Sequence, residues 1–143
     1  VRCLRRLFKA IQEYSKAIHK AVGLSAPQVW ALTVLAANPG ISLGELSERL
    51  FSHPSTVSGI VDRLERRRAV RRTVDGEDRR GIQLWLTPSG RRILKASPPP
   101  VQKPLSDALE RISGARLRQL RRSLEEIAQR TEAHKVEAAF FDV

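Results

Sequence analysis

The side chains of this chain best suited to chemistry are its arginines, and the chemistry they suit is the binding of oxyanions. Arg63, Arg66, Arg67 and Arg68 crowd the end of one apolar-striped stretch, and Arg79 and Arg80 come after it, across Asp75-Gly76-Glu77-Asp78. A guanidinium is planar and permanently charged, so its fork meets phosphate oxygens two at a time where a lysine acts as a point charge. The rest of the chain leans the same way. In 143 residues Lys and Arg number 26 against 15 Asp and Glu, a formal charge of +11. Such a chain seeks a polyanion: nucleic acid, an anionic membrane or an acidic protein.

Other chemistry has little to build on. His19, His53 and His134 stand apart, with no second ligand at metal spacing and Cys3 as the one cysteine, so neither a metal nor a cofactor is expected. There is no Gly-rich phosphate loop, no G-x-S-x-G and no Ser/His/Asp grouping in a recognisable context. Glu125-Glu126 reads as a solvated helix surface rather than a catalytic pair, and an enzyme is not expected. A lone cysteine excludes an internal disulfide and fits a reducing cytosol. The longest apolar run, residues 29–37, falls far short of the ~20 residues that span a bilayer. Residues 1–22 carry charges at helical spacing and hold no signal-peptide core. The expected compartment is the cytoplasm, with no membrane partner.

The arginines must be held by the segments on their N-terminal side. Val57, Ile60, Val61 and Leu64 fall at i, i+3, i+4 and i+7, which makes one apolar stripe on a helix and predicts that the stripe is buried. Opposite it lie Ser55, Ser58, Gly59, Asp62 and Arg66, with Thr56 and Arg63 on the flanks. Small groups at the start allow close approach to a surface, and arginines further along reach phosphates. Pro54 suits the first turn and Ser52 or His53 can cap it, so the helix is expected over 54–68. Before it, Ser42 with Glu45 forms a capping box for a helix that turns Leu43, Leu46 and Leu50 inward. Phe51-Ser52-His53 leaves room only for a tight turn. Two short helices so joined read as a helix-turn-helix whose second member enters the major groove of DNA, although the spacing alone suits an ordinary helical hairpin as well.

Residues 69–86 favour the first reading. The stretches 69–74 and 81–86 are short β-favouring runs, and the second alternates Ile82, Leu84 and Leu86 with Gln83 and Trp85. Between them residues 75–80 make a charged hairpin tip. An arginine pair on that tip, beside a helix ending in arginines, gives a wing able to straddle a phosphate backbone and enter a narrow minor groove.

Taken together, Ser55-Thr56-Val57-Ser58-x-x-Val61-Asp62-Arg63-Leu64-Glu65, then Asp75-x-x-Asp78-Arg79-Arg80, then Leu86-Thr87-x-x-Gly90 resembles the MarR family of bacterial transcriptional regulators. The resemblance implies a mainly α fold with a small β-hairpin: a winged helix-turn-helix lobe set on a helical dimerisation domain, covering the whole chain. The family's wing arginine maps onto Arg80, expected in the minor groove, with Asp78 bracing the wing and Arg79 nearer the backbone. Gly59 departs from the pattern, since many relatives carry a long polar or basic residue there, so no base preference is transferred. The resemblance also implies a lipophilic or aromatic effector bound where the DNA-binding lobe meets the dimer helices. Phe8, Tyr14, Trp30 and Val34 are candidates to line that cleft, while an aromatic at the spacing of Trp30 also reads as core. Some relatives sense peroxides through an N-terminal cysteine; Cys3 is either such a group or an ordinary residue near a terminus.

The remaining segments divide accordingly. Leu4, Leu7, Phe8, Ile11, Ile18 and Val22 make an amphipathic helix stopped by Gly23. Ser25 with Gln28 caps a second helix, apolar over most of its circumference and therefore central. Thr87 with Pro88 starts another, broken at Pro98-Pro99-Pro100. Helix is expected to resume near Pro104 with Leu105, Leu109 and Ile112, and Ser113-Gly114 separates it from a last helix striped by Leu117, Leu120, Leu124 and Ile127. Residues 1–24 and 98–143 are thus assigned to dimerisation and 25–97 to DNA binding. The expected protein is a homodimeric repressor of pseudo-palindromic operators, with Pro54, Ser55, Thr56, Ser58 and Gly59 near bases and Arg63, Arg66 and Arg79 on phosphates. Its rival is a sequence-indifferent architectural DNA-binding protein, for which the charge alone suffices.

Overall fold

The computed structural model describes residues 1–74, 81–98 and 107–131. In chain order the elements are α1 (Arg2–Val22), α2 (Ala26–Ala37), β1 (Ile41–Ser42), α3 (Leu43–Arg49), α4 (Pro54–Arg66), β2 (Val70–Val74), β3 (Ile82–Leu86), α5 (Pro88–Ala96) and α6 (Gly114–Arg130). They fall into two compact units, one within Val1–Pro98 and one within Pro99–Ala138.

In the first unit each boundary has a local cause. Gly23 ends α1 in the left-handed region, φ 65°, where its N–H donates to the His19 carbonyl. At the start of α2 the Gln28 side-chain oxygen accepts from the Ser25 N–H at 2.9 Å. Ser42 and Glu45 close the predicted capping box: the Ser42 N–H donates to the Glu45 carboxylate at 2.8 Å, and the Glu45 N–H donates back to the Ser42 hydroxyl at 3.2 Å. Those Ser42 backbone and side-chain hydrogen bonds hold the Glu45 carboxyl below its ordinary pKa.

The core is built around α2. Pro27, Gln28, Val29, Ala31, Leu32, Val34 and Leu35 are all buried, so nearly every side of this helix needs a neighbour. It finds them in α1, α3, α4, α5 and β3. Ile18 of α1, Leu24, Leu46 and Leu50, the four-residue stripe of α4, Ala69, Val70, Leu84 and Leu86 complete the cluster.

The sheet has three antiparallel strands in the order β1-β3-β2, with Ile41 opposite Leu84 and Val70 opposite Leu86. Ile41 therefore joins the wing as its third strand. Two details differ from the sequence reading. The strands begin at Val70 and Ile82, one residue inside each predicted run. Ile82 shares a strand face with Leu84 and Leu86 yet is 48 % exposed, because it and its partner Val74 close the ladder beyond the reach of the core.

Thr87 ties the wing to α5. Its hydroxyl donates to the Arg68 carbonyl at 2.7 Å and accepts from the Gly90 N–H at 3.0 Å, while its own N–H donates to the Ala69 carbonyl at 3.0 Å. Gly90 is required by this closeness, since a methyl group there would be driven into the Ala69 carbonyl. The helix then ends at Ala96, ahead of Pro98.

In the second unit residues 107–110 are helical and α6 begins at Gly114. Its surface carries Arg121–Glu125 at 3.7 Å and Arg130–Glu126 at 2.8 Å, both at i,i+4 spacing. None of its residues is buried. Pro99, Pro100, Pro104 and Leu105, with their predicted break and restart, lie outside the described residues. Among those residues no helix is long and apolar enough to cross a membrane.

Candidate nucleic-acid interface

Helix α4 is positioned by its stripe. Val57, Val61 and Leu64 are wholly buried and Ile60 nearly so, which fixes the rotation of the helix and turns its opposite face outward. His53 supplies the cap: its Nδ1 accepts from the Ser55 N–H at 3.3 Å and lies 2.7 Å from the Ser55 hydroxyl. Pro54 and Ser55 are exposed, and Thr56, Ser58 and Gly59 are half-buried. A Cβ built on Gly59 would meet nothing within 4 Å, so backbone lies open at the middle of this face. Ser55, Thr56, Gly59 and Arg63 share a cleft of about 220 Å³ with Pro27, Ser52 and Ile60. The turn ahead of the helix carries Phe51, 84 % exposed and at φ 51°.

The helix is shorter than predicted. It ends at Arg66; Arg67 is its cap and Arg68 adopts φ 55°, turning the chain into β2. The four arginines therefore do not form one helical row.

The charges are sorted in a way the sequence did not announce. Asp62 and Arg66 stand at i,i+4, a spacing at which they would pair on an isolated helix. Instead Arg72 of β2 takes both carboxylates of α4, donating to Asp62 and to Glu65 at 2.6 Å each. Burial alone would lower the Arg72 pKa, but the Asp62 hydrogen bond and the attraction of Glu65 and Asp62 outweigh it and hold the guanidinium above its ordinary value. Arg63, Arg66 and Arg67 remain exposed and, among the described residues, pair with no carboxylate. They line a cleft of about 740 Å³ with His19, Gly23, Ser25 and Gln28. Nothing local in the sequence marks Arg72, because its partners lie seven and ten residues back on another element.

On the wing, Trp85 donates from Nε1 to the Thr73 hydroxyl at 2.9 Å, and the Arg71 guanidinium sits 5.8 Å from its ring centroid. Asp78, Arg79 and Arg80 lie outside the described residues.

The four effector candidates are spread over two helices. Val34 is in the core, Tyr14 and Trp30 are half-buried against it, and Phe8 is 45 % exposed on α1. The Tyr14 hydroxyl is, among the described residues, the buried side-chain polar atom without a hydrogen-bond partner, and desolvation raises its pKa. Cys3 is exposed. No three His, Cys, Asp or Glu side chains come together among the described residues.

A tri-helical core, a helix-turn-helix and a β-wing latched by Thr87 define a winged helix-turn-helix protein. The family model described as MarR family matches residues 22–81. The chain is 34 % identical over 111 residues to the transcriptional regulator HosA of Escherichia coli O111:H-, covering 78 % of this chain and 81 % of that one. It is 33 % identical over 87 residues to the HTH-type transcriptional repressor MdtR of Bacillus subtilis strain 168, covering 61 % and 56 %. Its fold is also that of a mutant S. aureus MepR bound to an oligodeoxyribonucleotide, at TM-score 0.59 and 20 % identity, covering 91 % of this chain and 96 % of that one. The chain belongs to the MarR family of DNA-binding transcriptional regulators.

Proposed function

We propose that the chain is a homodimeric, cytoplasmic repressor that binds pseudo-palindromic duplex DNA. The observation that carries this reading is the sorting of charge on α4: its carboxylates are drawn to Arg72, while the small outward face and Arg63 and Arg66 are left bare. Pro54, Ser55, Thr56, Ser58 and Gly59 approach base edges in the major groove, Arg63, Arg66 and Arg79 hold phosphates, and Arg80 enters the minor groove with Asp78 bracing it. The B. subtilis relative is named a repressor and the S. aureus neighbour is bound to an oligodeoxyribonucleotide, which supports the same assignment.

Dimerisation belongs to residues 1–24 and 98–143. Its support is apolar surface: Leu4 and Leu7 on α1 are 45 % and 53 % exposed, and Leu120, Leu124 and Ile127 on α6 are 39 %, 50 % and 50 % exposed. A two-fold pair would read half-sites about one turn, roughly 34 Å, apart. A lipophilic or aromatic effector held near Phe8, Tyr14, Trp30 and Val34 would satisfy the Tyr14 hydroxyl and release the DNA.

The test is competition on a fragment from the promoter of its own gene. Excess random duplex is expected to leave the complex intact, and Arg80→Ala is expected to cost about 1–3 kcal/mol of specific binding while Arg66→Ala weakens all sequences alike. Displacement by random duplex would favour an architectural coater, a reading that draws on the absence of any side chain at Gly59.

A further inference from the structure

The larger of the two clefts has a lining unlike that of the effector site just proposed. Its lining residues, His19, Gly23, Ser25, Gln28, Arg63, Arg66 and Arg67, include no Val, Leu, Ile, Phe, Tyr or Trp, and three of them are arginines. Like charges brought to one cleft repel, and no protein carboxylate among the described residues offsets them. The carboxylates that could do so, Asp62 and Glu65, are held by Arg72.

The remaining walls also favour an anion. Ser25 and Gln28 set the positive, N-terminal end of α2 against the cleft. The Gln28 side-chain oxygen is already occupied by the Ser25 N–H, which leaves its amide N–H₂ as a donor. Arg67 folds close over Gly23: a Cβ there would stand 3.4 Å from Nη1, in a loop whose φ of 65° already disfavours a side chain. A volume of about 740 Å³ is ample for a small metabolite.

We propose that this cleft binds a small oxyanion carrying at least two negative charges, phosphoryl or polycarboxylate, and that its occupant competes with duplex DNA for Arg63 and Arg66. The binding half stands on the cleft alone; the competition half rests on the DNA-binding reading above. The mechanism is direct, since a guanidinium forked onto a bound anion is not available to a backbone phosphate.

Calorimetric titration of the full chain with pyrophosphate and with citrate, at ionic strength fixed by NaCl, tests the first half. At least one anion is expected to bind saturably, at least ten-fold weaker to Arg67→Gln and unchanged with Arg118→Gln, which removes the same charge from α6. Arg67→Lys, which keeps the charge without the fork, is expected to fall between Arg67→Gln and the unaltered chain and guards against a folding defect in Arg67→Gln. Equal weakening by Arg67→Gln and Arg118→Gln, or heat without saturation, overturns the site. The tighter anion identifies the head group. In the second half, the saturating anion is expected to weaken DNA binding at least ten-fold in the unaltered chain and to leave the Arg67→Gln complex in place. An anion that fills the cleft without displacing DNA overturns the competition. A protein that binds the anion but no duplex refutes the regulator reading while upholding the cleft.

Discussion

Helices α4 and α6 carry the same kind of pattern and meet opposite fates. Both are amphipathic with apolar residues three and four apart, Val57 to Leu64 in one and Leu117 to Ile127 in the other. In α4 the stripe is buried to the last residue; in α6 no residue is buried and three of the stripe are 39–50 % exposed. Periodicity thus states which face of a helix wants cover, and says nothing about what supplies it. For α4 the cover is α2 and α3 of the same chain. For α6 we assign it to a second copy.

The largest expected effect lies where the cover is complete. Leu64→Ala should destabilise the fold by about 2–5 kcal/mol in urea unfolding, through lost burial and the cavity left behind. Leu124→Ala in dilute protein, where a dimer would dissociate, should stay within ~0.5 kcal/mol. Similar losses at both positions would erase the contrast, and would mean that α6 is covered within its own chain.

Next is the dimer itself. Leu124→Glu puts a charge into the stripe of α6 and should weaken self-association at least ten-fold, about 1.4 kcal/mol or more, by sedimentation equilibrium. The thermal midpoint of the unaltered chain should rise with concentration and that of the variant should not. An unaltered chain that sediments as a monomer throughout would leave α6 without its assigned partner and remove the two-fold half-site geometry with it.

The same contrast explains what the sequence made legible. Caps and stripes are local, and they located α2, α3, α4, α5 and the Gly23 stop to within a residue or two; the Ser42–Glu45 and Thr87 hydrogen bonds derive directly from residue type and spacing. Arg72 was not readable, since its partners are set by how β2 lies across α4. Nor was the early end of α4: Arg67 and Arg68 have good helix propensity, and the turn is imposed by the need to bring Val70 back under the core. The 740 Å³ cleft escaped for the same reason, as it joins α1 and the start of α2 to residues far along the chain on α4.

The smallest effects compare the charges of the two helices. In α6 the pairs are local and exposed, so Arg121→Ala should change stability by no more than ~0.3–0.5 kcal/mol. In α4 the pairing is long-range: Arg72 is 27 % exposed and holds two carboxylates at once, and Arg72→Ala should cost about 1 kcal/mol. Its second consequence is the more informative. With Arg72 gone, Asp62 is free to turn to Arg66 at i,i+4, and DNA affinity should fall by a further ~0.3–0.5 kcal/mol. Asp62→Asn in the Arg72→Ala background should restore that increment in a binding titration, because the carboxylate that captures Arg66 is then absent. Failure to restore it would mean that Arg72 serves the fold alone and that the bare arginine face does not depend on where α4 sends its carboxylates.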